Sequence, residues 1–238
     1  MAIKIGNILL GSAPVLTAVI TEISDISKIR RLSRYGVSIL EIRIDLIKES
    51  FKNILSFLKD LKKRETFAIL GTIRETINNR KKRLELFRNI MPFVDCVDIE
   101  WDTPINKEVI KIAVQNNVRV IISHHDFEKT PDIRELLKII KKTGELKADI
   151  TKIAVTAITP DDVMNLLMFT KDNKEKGLIT LSMGIQGSIS RVIAPFFGSL
   201  LAYGFTTESV APGQMSVTEL HKELNKFYPS YHTDLKMY

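Results

Sequence analysis

The 238-residue sequence predicts an α/β protein, a (β/α)8 TIM barrel with a short N-terminal hairpin. Three observations lead to that prediction. Short β-branched apolar runs alternate along the chain with amphipathic stretches of helical period. There are eight such runs, each followed by a helical stretch, in about the length usual for this barrel. No Gly-rich phosphate turn follows the first run, which weighs against an open dinucleotide-binding sheet, the main competing architecture. No linker, low-complexity segment or long charge block divides the chain, so residues 1–238 read as one domain.

The first twenty residues carry apolar patches that imitate a signal peptide. Gly11, Ser12 and Pro14 interrupt them and no cleavage site follows, so they read as a small hairpin entering the first strand. That strand is predicted over 15–20. The next seven are predicted over 37–44, 67–73, 94–100, 118–123, 150–155, 178–182 and 205–210. Helices are predicted near 25–35, 50–63, 79–91, 104–116, 131–142, 160–175, 189–202 and 216–227. Thr130-Pro131-Asp132 and Thr159-Pro160-Asp161-Asp162 are helix-start signals: a capping side chain, with proline where its missing N–H costs nothing.

Composition narrows the function. The most apolar stretch, 194–202, is short and broken by Pro195 and Gly198, so no membrane span is predicted. With one cysteine, Cys96, no intramolecular disulfide can form, which fits a cytoplasmic protein; its apolar setting reads as core filler. The net charge of +7 raises nucleic acid as a partner. The basic clusters, such as Arg80-Lys81-Lys82-Arg83 and Lys141-Lys142, lie on helical stretches without interleaved aromatics, so they read as solvated faces and not as a nucleic-acid surface.

In such a barrel the chemistry sits at the C-terminal ends of strands, where period-2 polar residues share a face. The second strand ends Glu41-Ile42-Arg43-Ile44-Asp45, with its charges on one face. The third ends in Thr72 and Arg74, the fourth in Asp98 and Glu100, and the fifth in Ser123 and His125. The sixth, apolar and of strand length, carries Lys152 at its centre. A lysine there either reaches solvent from an edge strand or is desolvated, and a desolvated amine can attack a ketone to form a Schiff base. His125 is a candidate proton shuttle. His124 and His125, being adjacent, point to opposite faces, and no metalloenzyme His/Glu spacing is present, so no metal site is predicted. Gly184, Gly187, Ser188, Ser190 and Arg191 at a helix start form either an anion site or an ordinary loop and cap. The turn Ala211-Pro212-Gly213-Gln214 can lay Gln214 across the mouth.

Together these residues resemble type I 3-dehydroquinate dehydratases, the Schiff-base dehydratases of the shikimate pathway. The resemblance rests on Glu41-Ile42-Arg43-Ile44-Asp45, Thr72-Ile73-Arg74, Asp98-Ile99-Glu100, the block from Ser123 to Pro131, Lys152-Ile153-Ala154, Ser190-Arg191 and Ala211-Pro212-Gly213-Gln214. It runs in order along nearly the whole chain. It implies a barrel without a cofactor, a homodimer, and a small-molecule substrate, 3-dehydroquinate, dehydrated to 3-dehydroshikimate. By that resemblance Lys152 forms the imine and His125 moves the protons. Arg191 would hold the substrate carboxylate, with Glu41, Arg43, Arg74 and Gln214 binding its hydroxyls and carboxylate. Cationic neighbours and desolvation would keep Lys152 neutral. The family usually has a glutamate four residues after the arginine matching Arg74, supporting the catalytic histidine. Asn78 stands there in this chain, so Glu100 or Asp126 is left to orient His125, or its pKa differs. Tyr203 takes the place of the usual aromatic before the eighth strand, and Val210 that of a frequent serine. Two other readings remain: a class I aldolase, which shares barrel and lysine but needs a phosphate site for sugar phosphates, and a basic nucleic-acid-binding protein.

Overall fold

The structure is a computed structural model and describes residues 3–64, 66–229 and 231. β1 (Lys4–Ile5) and β2 (Ile8–Leu9) pair antiparallel as the hairpin. The first barrel strand, β3 (Val15–Ile20), leads through α1 (Ile26–Arg30) to β4 (Val37–Arg43), and α2 (Phe51–Lys62) carries the chain to β5 (Ala68–Thr72). α3 (Arg83–Ile90) precedes β6 (Cys96–Glu100), and α4 (Asn106–Gln115) precedes β7 (Arg119–Asp126). α5 (Ile133–Glu145) leads to β8 (Ile150–Thr156), and α6 (Pro160–Asp172) to β9 (Leu178–Met183). Two single turns, α7 (Gly184–Gly187) and α8 (Ser190–Ile193), come before β10 (Leu201–Phe205), and α9 (Val217–Phe227) follows it. No helix among the described residues is long and apolar enough to cross a membrane.

The eight barrel strands are parallel, in the order β10-β3-β4-β5-β6-β7-β8-β9. Strand and helix follow from sequence as expected. In α2, Ser50 caps the start by accepting a bond from the Asn53 amide at 3.2 Å, and Ile54, Phe57, Leu58 and Leu61 form a buried stripe at helical spacing. Each such side chain contributes roughly 1.5–3 kcal/mol on burial. α6 and α9 open on capping boxes, Thr159 with Asp162 and Ser216 with Glu219.

The strands divide their side chains between two cores. Leu40, Ile42, Val97, Ile99 and Ile122 face outward to the helices, while Ile39, Leu70, Cys96, Ile121, Ile150 and Ile179 fill the barrel. Ile5 and Leu10 of the hairpin region join that inner cluster and close it at the N-terminal ends of the strands. Above this apolar floor the inward positions turn polar: Thr17, Glu41, Thr72, Asp98, Ser123 and Lys152 are all buried.

Four boundaries correct the sequence reading. The eighth strand is β10, Leu201–Phe205, and not 205–210; residues 206–214 form the loop at the mouth. The helix predicted over 189–202 is α8 followed by a 3-10 turn at Ala194–Phe197, which Gly198 ends at φ +106. An apolar run as short as 200–203 has no distinguishing period, so helix and strand cannot be separated there by pattern. The helix predicted from 79 begins at Arg83 because Thr76 and Asn79 exchange side-chain and backbone hydrogen bonds in a preceding turn. β7 outruns its prediction to Asp126, and that extension carries His125 to the mouth.

Candidate active site

All seven site residues nominated from sequence, Glu41, Arg43, Arg74, His125, Lys152, Arg191 and Gln214, line one cavity of about 410 Å³ at the C-terminal ends of the strands. That volume lies in the range of small-molecule sites.

Lys152 occupies the cavity floor, 6% exposed. Its Nζ lies 2.9 Å from Asp98 Oδ2, 3.7 Å from Glu41 Oε1 and 4.4 Å from the centre of the Tyr203 ring. The expectation of cationic neighbours is therefore corrected: the nearest formal charges are carboxylates. Asp98 can approach so closely because register places β6 and β8 on either side of β7, with Ser123 level with Lys152. Asp98 is fully buried and also accepts bonds from the Ser123 hydroxyl at 2.6 Å and Arg74 Nη2 at 2.9 Å. Burial opposes its ionisation, but the Arg74 and Lys152 cations outweigh that and hold its carboxyl below the usual range. Glu41 accepts the Thr72 hydroxyl at 2.8 Å.

His125 lies one pleat above Ser123 on β7, with Nε2 3.4 Å from Arg74 Nη2 and its ring stacked on Phe127 at 6.1 Å. Burial, then Arg74 and Lys152, lower its pKa well below 6.5, so the resting ring is neutral and able to accept a proton. Neither carboxylate expected to orient it does so. Glu100 pairs with Arg83 and Arg74, and Asp126 caps the turn through the Glu128 and Lys129 amides. Asn78 is exposed. His124 turns aside to accept the Trp101 indole N–H at 2.9 Å, which leaves the proton on Nε2.

Arg191 is the exception among the cations of the cavity. Arg43 forms a bidentate pair with Asp45, and Arg74 and Lys152 share Asp98. Arg191 is 4% exposed, donates Nη2 to the Pro212 carbonyl at 3.1 Å, and has no protein partner for Nε among the described residues. Burial alone pulls its pKa down to about 10. The nearby serines add nothing to an anion site: Ser190 ties the Ser182 backbone to Gly187, and Ser188 bonds Ile185. Gln214 reaches the mouth through a tight turn in which Gly213, at φ +70, passes so close to the Gly184 carbonyl that a Cβ would stand 2.4 Å from it. Its Oε1 accepts the Val210 amide at 3.0 Å, which directs its NH2 group elsewhere.

Residues 15–230 match the family model of type I 3-dehydroquinase. The chain belongs to the type I 3-dehydroquinase family. It is 34% identical over 231 residues to the 3-dehydroquinate dehydratase of Methanococcoides burtonii, covering 93% of this chain and 98% of that one. Identity to the Thermodesulfovibrio yellowstonii 3-dehydroquinate dehydratase is 31% over 216 residues, 89% of this chain and 95% of that one. Among solved structures, the type I 3-dehydroquinate dehydratase of Clostridium difficile, with covalently modified comenic acid, superposes at a TM-score of 0.83 with 31% identity, covering 96% and 98% of the two chains. Within this type I 3-dehydroquinase barrel, sequence reasoning noted Asp98 but assigned it no role. Its period-2 spacing with Glu100 was the available signal, and the structure pairs it directly with Thr72.

Proposed function

We propose that this chain dehydrates 3-dehydroquinate to 3-dehydroshikimate through a Schiff base on Lys152. The observation that carries the reading is a buried lysine amine sharing one cavity with a neutral histidine and a buried, carboxylate-free arginine. In this mechanism Lys152 passes a proton to His125, its freed amine adds to the C3 ketone, and the proton returns to the departing oxygen, leaving a protonated imine and one water. The imine draws electrons from C2, so a weak base suffices to remove the proton there. His125 is that base, since register places it beside Ala154, two residues along the neighbouring strand from Lys152. The electron pair left at C2 expels the C1 hydroxyl, to which His125 returns the proton, releasing water. A second water then hydrolyses the imine and frees the product.

Arg191 donates to the substrate carboxylate, an anion its guanidinium lacks among the described residues, while Glu41, Arg43, Arg74 and Gln214 orient hydroxyls and carboxylate. The family relationship supports the same assignment. With it we propose one domain over 1–238, a cytoplasmic homodimer, and no cofactor. The test is borohydride reduction in the presence of 3-dehydroquinate, followed by peptide mass spectrometry. The expected result is a substrate-dependent adduct on Lys152. Absence of both adduct and turnover would end the dehydratase reading; an adduct on another lysine would retain the chemistry and refute its placement.

A further inference from the structure

Lys152 has two carboxylates within reach, and imine formation forces a choice between them. Condensation converts R–NH3⁺ and a ketone into R–NH⁺=C and water, so the nitrogen goes from three N–H donors to one. A single N–H in the plane of the C=N bond can serve one anion. We propose that Asp98 keeps that bond and is the resident counter-ion of the imine, a positioning residue for Lys152, while Glu41 is released to the substrate. The inference rests on the Schiff-base reading above.

The geometry separates the two carboxylates. Asp98 is closer to Nζ, at 2.9 Å against 3.7 Å for Glu41. Both Asp98 oxygens are already committed, Oδ1 to the Ser123 hydroxyl and Oδ2 to Arg74 and Lys152. It is fully buried and forms no part of the cavity wall, so substrate cannot reach it. Glu41 does line the cavity, and its hydrogen bond from Thr72 uses Oε1, the one it accepts among the described residues, leaving Oε2 for a substrate hydroxyl. Asp98 is also anchored sideways. Arg74 bonds Ser123 and reaches His125, so the carboxylate that orients the imine N–H belongs to the same rigid set as the base acting at the adjacent carbon. An imine held by Asp98 keeps its π plane fixed relative to His125, which is the alignment that C2 proton removal requires.

The test compares Asp98→Asn, Asp98→Glu, Glu41→Gln and Ser123→Ala for kcat, KM and the rate of cyanoborohydride trapping at saturating 3-dehydroquinate. Cyanoborohydride reduces protonated imines, so trapping reports the counter-ion directly. Asp98→Asn is expected to lower kcat and the trapping rate about 10- to 100-fold, the range of one charge-assisted hydrogen bond, with KM within about threefold of wild type. Asp98→Glu should recover part of both. Glu41→Gln should act chiefly on KM. Because Asp98→Asn leaves Lys152 and Arg74 without their buried anion and can unfold the barrel, Ser123→Ala is the second arm. It keeps the charge and loses its orientation, and should lower kcat and trapping by about threefold or more. The proposal is overturned if folded Asp98→Asn stays within about threefold of wild type in both rates. It is equally overturned if that variant fails to fold and Ser123→Ala matches wild type, or if Glu41→Gln rather than Asp98→Asn slows trapping. A wild-type protein that leaves no adduct on Lys152 would remove the Schiff-base reading and this inference with it.

Discussion

Burying Arg191 costs stability, since a guanidinium loses its hydration and, among the described residues, regains the bond to the Pro212 carbonyl but no anion. The cost makes sense if the missing partner is the substrate. Arg191→Met should therefore raise KM about 10- to 150-fold, the worth of a charge-assisted bond, while the thermal midpoint stays level or rises. Steady-state kinetics and a melting curve on one preparation check both halves, and an unchanged KM would remove Arg191 from substrate binding. Other side chains differ in how much of this could be read from sequence. Period-2 spacing was enough to turn Lys152 and His125 inward, because a strand allows a side chain only two directions. The same rule turned Asp98 inward, but said nothing of its being 2.9 Å from Lys152, which depends on a strand two positions away in the barrel. The serines at 188 and 190 settle for their part on the loop-and-cap alternative: they are spent on local backbone contacts.

Between β9 and β10 the ladder of the barrel is least complete. Elsewhere neighbouring strands are joined by ladders of paired residues, with a register shift between Leu16 and Thr17 where β3 meets β4, whereas this seam is joined by the Leu200 amide to the Leu178 carbonyl at 2.9 Å and by the Ser199 hydroxyl. That hydroxyl accepts the Thr180 amide at 2.9 Å and lies 3.2 Å from the Thr180 carbonyl, doing with one side chain what a strand does with its backbone. Ser199→Ala leaves the Thr180 N–H buried without a partner and should cost about 1–3 kcal/mol, read as a lower urea midpoint with an unchanged slope. A midpoint equal to wild type would mean the seam does not depend on that bond. The seam is also where sequence reading failed. Strands flanked by clear helices were placed within a few residues, but 189–205 packs two short helical turns, a proline, a left-handed glycine and a strand into one apolar stretch. Neither helical nor strand period has room to declare itself there.

Acid should destabilise the whole barrel through groups it buries. Burial lowers the pKa of both His124 and His125 below 6.5, so in the folded protein they stay neutral where the unfolded chain takes up protons. Their contribution is complete above pH 6.5 and is lost as the pH falls through the lower folded values. Asp98 acts in the same direction further down: its carboxyl is held below 3.8, so its contribution is present above 3.8 and lost as the pH falls through the folded value. The thermal midpoint should thus fall steadily from about pH 6.5 to about 4, and His125→Asn should flatten the upper part of that fall. A midpoint that rises over this range would contradict the burial of neutral imidazoles.

Hydrophobic periodicity made the barrel and its strand order legible in the sequence, because pattern and connection length act locally and consecutive parallel strands have few ways to pair. It also brought the site residues to one end of the barrel. The partners those residues take were set by the closed sheet. Among the described residues Lys152 bonds Asp98, which it shares with Arg74, His125 meets Arg74, and Arg191 pairs with no carboxylate. Charge pairing decays over a few ångströms, so it depends on side chains separated by dozens of residues, which only barrel closure brings into contact.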